Sequence, residues 1–280
     1  MYISEDTLDR IIKEDTPYID LTTMVLGIGN EQGRISFSSR EAGILCGSEE
    51  VARILQKLGA KTNLVLPSGT SISPQQLFLQ AEGTAAGLHI AWKASLNIVE
   101  YCSGIATRTH ELLTKARTVN PDVNILSTRK MFPGTRELAV KAVVAGGGLP
   151  HRLGLSETIL VFRQHINFLG GMEELAKNIP QFKQRDCEKK FIVEVEKLDD
   201  ALLLAAAGVD GLQFDKVPPQ QLKQFVEVIR ESYPGIVLIG AGGIKESNVI
   251  DYAASGVAGI VTTSMYFGRP LDISVKIEPI

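Results

Sequence analysis

The chain has 280 residues, 44% of them hydrophobic and 22% charged, with a formal net charge of -3. Such a chain can bury a large core in one domain or two, and a slightly acidic balance gives no global positive field to recommend nucleic acid or an anionic membrane as a partner. Cys46, Cys102 and Cys187 are widely spaced with neither a zinc pattern nor a disulfide framework, so a reducing cytoplasm is the expected setting.

The start, Met1-Tyr2-Ile3-Ser4-Glu5-Asp6, is acidic where a secretory signal needs positive charge. Ser4 can cap a helix running to about Glu14, because Leu8, Ile11 and Ile12 form an apolar stripe at helical spacing. Strand-like pieces at 34–38 and 62–66 flank a helical stretch at 48–58, an α+β pattern. A long helical segment over 84–116 follows, with a break or bend expected near Ser103-Gly104. From Asn120 onward, short apolar strands at 123–126, 159–162, 191–195, 211–214, 236–239 and 259–261 alternate with helices. That alternation predicts parallel βα units in a barrel or a doubly wound sheet, of which the barrel is favoured. Apolar runs such as 201–209 stop well short of the roughly 20 residues a membrane span requires.

Polar residues gather at the carboxyl ends of these strands: Arg129 and Lys130, Arg163, Glu194, Asp215, Gly240, Gly242 and Gly243. In a parallel barrel that rim is where ligands bind, although a charge just past a strand is often merely solvated. The glycine loop at 240–243, with a helix expected from about Lys245, can offer backbone N–H groups to a phosphate. A second glycine run, at 146–148, can turn the chain and bring His151 and Arg152 inward. Lys93, Arg129, Lys130, His151 and Arg152 together could hold a ligand carrying carboxylates and phosphates. Glu194 and Asp215 supply the opposite charge, suiting Mg2+ beside phosphates or positive charge developing at an anomeric carbon. His89, His110 and His165 share no metal-ligand spacing and are expected to be structural.

At these residues the sequence resembles the quinolinate phosphoribosyltransferase (nicotinate-nucleotide pyrophosphorylase) family over essentially its full length. The resemblance is carried by EDTPYIDLTT at 14–23, SREAGILCG at 39–47, LNIVEYCSGIAT at 96–107, STRKMFPG at 127–134, GGGLPHRLGLSE at 146–157, VEVE at 193–196, FD at 214–215, GAGGI at 240–244 and the ending LDISVKI. It implies an α/β fold with an incomplete (β/α) barrel over 99–266 and an N-terminal α/β sandwich domain over 1–98 that residues 267–280 rejoin. It also implies a homodimer, or a higher oligomer built on it, in which Lys93 of one subunit helps close the other's barrel site. The implied reaction joins phosphoribosyl pyrophosphate to a small acidic heterocycle with magnesium's help. Glu194, Asp215 and Lys130 are the implied catalytic residues, the two acids also holding the metal. Arg129, Lys130, His151, Arg152, Phe162, Gly240, Gly242, Gly243, Thr263 and Ser264 are the expected substrate contacts, together with Lys93.

Departures from the family pattern concentrate around the base. Phe162 stands where a substrate-binding lysine is expected, and Arg163 replaces an acid. Lys93 replaces an arginine, Ser127 an acid, Met131 a threonine, Pro150 an asparagine and Ala241 a serine. This combination resembles the branch called ModD, associated with molybdate transport. The implied enzyme is a transferase with an altered acceptor. Two other readings stay open: a ligand-binding regulator on the same fold, and a barrel isomerase or synthase that uses the glycine loop for another phosphate.

Overall fold

The computed structural model describes residues 1–280, with the elements α1 (Glu5–Asp15), α2 (Leu21–Leu26), β1 (Gln32–Ser39), β2 (Gly43–Ile44), α3 (Ser48–Lys57), β3 (Lys61–Val65), β4 (Ser71–Ile72) and β5 (Leu77–Thr84) in the first part of the chain. Next come α4 (Ala85–Arg117), β6 (Asn124–Ser127), α5 (Arg136–Ala145), β7 (Leu149–Pro150), β8 (Ile159–Val161), α6 (Arg163–Leu169) and α7 (Met172–Arg185). The remainder is β9 (Phe191–Val195), α8 (Leu198–Ala206), β10 (Gly211–Asp215), α9 (Pro219–Ser232), β11 (Val237–Ala241), α10 (Val249–Ala254), β12 (Gly259–Thr262) and β13 (Ile273–Pro279). Two compact units result: Met1–His110 with Phe132–Gly147 and Met265–Ile280, and Glu111–Met131 with Gly148–Ser264. No helix is long and apolar enough to cross a membrane.

The first unit is an antiparallel sheet in the order β13-β1-β5-β3, into which the chain's last strand is paired. Strand alternation turns Ile35 and Phe37 of β1 to one face, where they join Leu79 and Ala81 of β5 and the Val51, Ile54 and Leu55 stripe of α3 in one core. Ser4 caps α1 as expected, its hydroxyl accepting from the Thr7 N–H at 3.2 Å. The expected break near Ser103-Gly104 does not occur, for α4 runs unbroken through 33 residues. Ser103 Oγ instead accepts the Cys46 N–H at 2.9 Å and donates to the Cys46 carbonyl at 3.3 Å. Gly104 serves a close approach: a Cβ there would lie 3.1 Å from the Arg269 carbonyl oxygen and 3.2 Å from the Leu271 nitrogen.

The second unit is built on a parallel sheet in the order β7-β6-β12-β11-β10-β9-β8. Its two outer strands, β7 and β8, do not pair with each other, so the barrel is incomplete. Inward residues Leu160, Ile192, Ile239, Ala241 and Val261 form a small apolar plug. On the opposite face, Phe214 packs its ring 5.8 Å from that of Phe225, and α9 buries Leu222, Val226 and Ile229. The central strands β9 to β12 are short and largely apolar because both faces are covered.

Candidate active site

Just above the plug is a cavity of about 260 Å³ lined by the carboxyl ends of the barrel strands. Period-2 alternation sets who faces it: Glu194 lies two residues beyond inward Ile192, and Gln213 and Asp215 share the inner face of β10. Register brings Gln213 beside Glu194, and Gln213 Nε2 donates to Glu194 Oε2 at 2.7 Å. Arg129 and Lys130 leave the end of β6 and His151 and Arg152 the end of β7, with the His151 N–H donating to the Ser127 carbonyl at 3.0 Å. Phe162 follows β8, and the Arg152 guanidinium lies 5.6 Å from its ring centroid.

Ten of the thirteen expected residues line this one cavity: Arg129, Lys130, His151, Arg152, Phe162, Glu194, Asp215, Gly242, Gly243 and Thr263. Three do not. Gly240 alternates to the outer face, where a Cβ would meet Leu222 and Tyr252. Ser264 opens a short 3-10 turn outside the cavity lining, its N–H donating to Thr262 Oγ1 at 3.0 Å. Lys93 is an exposed residue of α4 whose Nζ sits 4.5 Å from the Trp92 ring centroid. Arg163 is the exposed first residue of α6 and does not line the cavity. His165 is structural, as expected, its Nδ1 accepting the Phe162 N–H at 2.9 Å.

The glycine loop differs from expectation in its helix. That helix begins at Val249 rather than near Lys245, because Asn248 Oδ1 takes the Lys245 N–H and holds a loop there. Gly242 is indispensable at this bend: its φ is +86°, and a Cβ would fall 2.5 Å from Asp215 Oδ1. The loop thus lies directly against an acid of the site.

Electrostatically the cavity is divided. Burial and then the Arg129 charge push the Arg152 guanidinium down, and burial followed by Arg152 pushes His151 down. No ion pair of the chain uses Arg129, Lys130 or Arg152. Across from them, burial and then the neighbouring Asp215 raise Glu194, with Gln213 and Lys130 partly offsetting. Crowded cations invite an anion, and two crowded carboxylates invite a cation.

No group of three or more His, Cys, Asp or Glu side chains could cage a metal. Glu194 and Asp215 do fit magnesium held by two carboxylates and completed by a substrate's phosphates, since that ion keeps several non-protein oxygens. Ser127 and Gln213, both buried and lining the cavity, were not expected among the binding residues. Their signal in the sequence was faint: one polar residue at an inward position of each apolar strand.

Comparison with known proteins agrees with this geometry. Residues 20–103 match the N-terminal domain of quinolinate phosphoribosyl transferase, and residues 105–276 match its C-terminal domain. The chain belongs to the quinolinate phosphoribosyltransferase family. Within that family it is 34% identical over 279 residues to ModD of Escherichia coli O157:H7, covering 100% of this chain and 98% of the relative. ModD of Rhodobacter capsulatus is 39% identical over 249 residues, 89% of this chain and 95% of that one. The crystal structure of NadC from Streptococcus pyogenes superposes with a TM-score of 0.91 at 25% identity, covering 100% of this chain and 99% of that one. Quinolinate phosphoribosyltransferase family members are pentosyltransferases, and the chain is an enzyme of that class.

Proposed function

We propose that the protein transfers phosphoribose from phosphoribosyl pyrophosphate to a ring nitrogen of a small acidic heterocycle. The nitrogen lone pair attacks the anomeric carbon, the bond from that carbon to the pyrophosphate oxygen breaks, and pyrophosphate leaves with the electron pair. One observation carries the reading: a single cavity sets Arg129, Lys130 and Arg152 against Glu194 and Asp215. The three cations suit the pyrophosphate and the acceptor's acidic group, arginine gripping a planar anion at two points. Glu194 and Asp215 stabilise the positive charge that develops at the sugar as the leaving group departs. Glu194 and Asp215 would hold magnesium, and the chemistry it would supply there is charge to offset that of pyrophosphate. Burial and then the Arg152 charge favour the neutral ring of His151, which can donate one hydrogen bond without adding charge.

The acceptor we propose is not quinolinate. Phe162 provides an apolar wall where a cation would serve a second carboxylate, and Arg163 is exposed outside the cavity. An unpaired carboxylate in such a pocket costs several kcal/mol. The active unit proposed is a two-fold dimer with Lys93 contributed across it, a reading supported by its exposure and by the open edge of the barrel.

Titration calorimetry with phosphoribosyl pyrophosphate and magnesium tests the proposal. Binding at millimolar ligand or below, with a rise in Tm through linkage, is expected. Absence of both heat and thermal shift would sink the transferase reading.

A further inference from the structure

Gln213 lies within β10 with 4% of its surface exposed, and Ser127 closes β6 with 1% exposed. Both line the cavity, yet Gln213 Oε1 and Ser127 Oγ have no hydrogen-bond partner in the protein. Only two other buried side-chain atoms share that condition, Trp92 Nε1 and Ser95 Oγ, and both belong to α4. Buried polar atoms are normally paired, so two orphans around one cavity point to something that enters it.

The orientation of the glutamine narrows what that is. Its Nε2 is committed to Glu194 Oε2 at 2.7 Å, which leaves Oε1, an acceptor only, as the free end. The Ser127 hydroxyl can donate or accept. We infer, resting on the phosphoribosyl-transfer reading, that Gln213 and Ser127 recognise a hydrogen-bond-donating edge of the acceptor heterocycle, an amino group or ring N–H. Quinolinate offers only acceptors along its ring nitrogen and two carboxylates. A carboxylate brought to Oε1 would meet an acceptor, with the Glu194 charge one hydrogen bond behind it. Gln213 is therefore a specificity-determining residue in two ways, since it pairs the correct edge and rejects the dianion. A site built around a buried polar group discriminates strongly against a ligand that cannot pair it.

The test uses two probes of one shape. Quinolinate is pyridine-2,3-dicarboxylate, and 2-aminonicotinate keeps its ring nitrogen and 3-carboxylate while exchanging the 2-carboxylate for an amino group. Calorimetric titration of the full-length protein with magnesium should show 2-aminonicotinate binding at least about tenfold more tightly. The Gln213→Leu variant should lower that ratio by at least about threefold, the share set by the Phe162 wall remaining, and a ratio cancels any general weakening that follows from loosening Glu194. Equal affinities in the wild type, tighter quinolinate, or binding of neither probe would overturn the inference, as would an unchanged ratio in a folded Gln213→Leu protein. Even if that variant does not fold, the wild-type comparison can still overturn the inference. Phosphoribosyl pyrophosphate titrated into the same preparation keeps the two readings apart. Absence of its binding sinks the transferase reading, whereas its binding without preference between the probes overturns only this inference.

Discussion

Phe162→Lys puts a cation back where the cavity has an aromatic wall, and its consequences can be worked from one distance. The Arg152 guanidinium lies 5.6 Å from the Phe162 ring centroid, so an ammonium in place of the ring meets a like charge at about that separation. At an effective dielectric constant of about 20 the repulsion is about 3 kcal/mol, to which the lost cation–π contact adds roughly 0.5–2 kcal/mol. The unliganded variant should therefore melt at a lower temperature than the wild type. A dicarboxylate reverses the balance, because it gives both cations a partner. Steady-state kinetics with quinolinate and phosphoribosyl pyrophosphate should show kcat/KM rising by at least about tenfold over the wild type, and quinolinate should raise the variant's Tm more than the wild type's. The refuting result is a wild-type efficiency with quinolinate already at about 10⁴ M⁻¹ s⁻¹ or above, an ordinary value for a native substrate.

Glu194→Gln should lower turnover by about two orders of magnitude or more through loss of charge stabilisation. The same change should raise Tm at neutral pH, because burial and Asp215 raise the carboxyl in the folded state; its favourable contribution is present below about pH 4.5 and lost as pH rises through the raised value. A melting curve at pH 7 no higher than the wild type's would contradict that electrostatic account. In the first unit, buried Lys141 bonds Glu50 at 2.5 Å and Glu49 at 2.8 Å, so Lys141→Met should cost about 3–5 kcal/mol in urea unfolding. Burial would raise Glu49, but Lys141 and Ser68 hold it at about 2, so its contribution exists above about pH 4.5 and disappears as pH falls through about 2. Gly104→Ala should destabilise the protein although alanine usually favours a helix interior by about 1 kcal/mol, because the added carbon meets the Arg269 carbonyl at 3.1 Å; a gain in stability would show that the approach is soft. Lys93→Ala mixed with Arg129→Ala should recover activity in verified heterodimers, and no recovery would place each site within one chain.

Periodicity alone located the six principal strands of the barrel to within two residues at each end, since a strand buried on both faces reads as a short apolar run between turn residues. Motif order likewise gathered ten residues that line one cavity from seven strand ends. β5 was not legible, because Leu77–Thr84 runs directly into α4 at Ala85 with no intervening turn. At Ser103-Gly104 the local signal for a break was real, but tertiary contact overrode it, the serine serving Cys46 and the glycine admitting the Arg269–Leu271 backbone. Sequence likewise fixes that Gly240, Gly242 and Gly243 follow a strand, yet only the alternation of β11 in space sends Gly240 toward Leu222 and leaves Gly242 against Asp215. Gln213 shows the limit most clearly. As a letter it is one polar residue in an apolar strand, and its meaning depends on the register that sets it beside Glu194, commits its nitrogen and leaves its oxygen unpaired. Which residues a chain carries is local information; which polar atom is left without a partner is a property of three-dimensional packing.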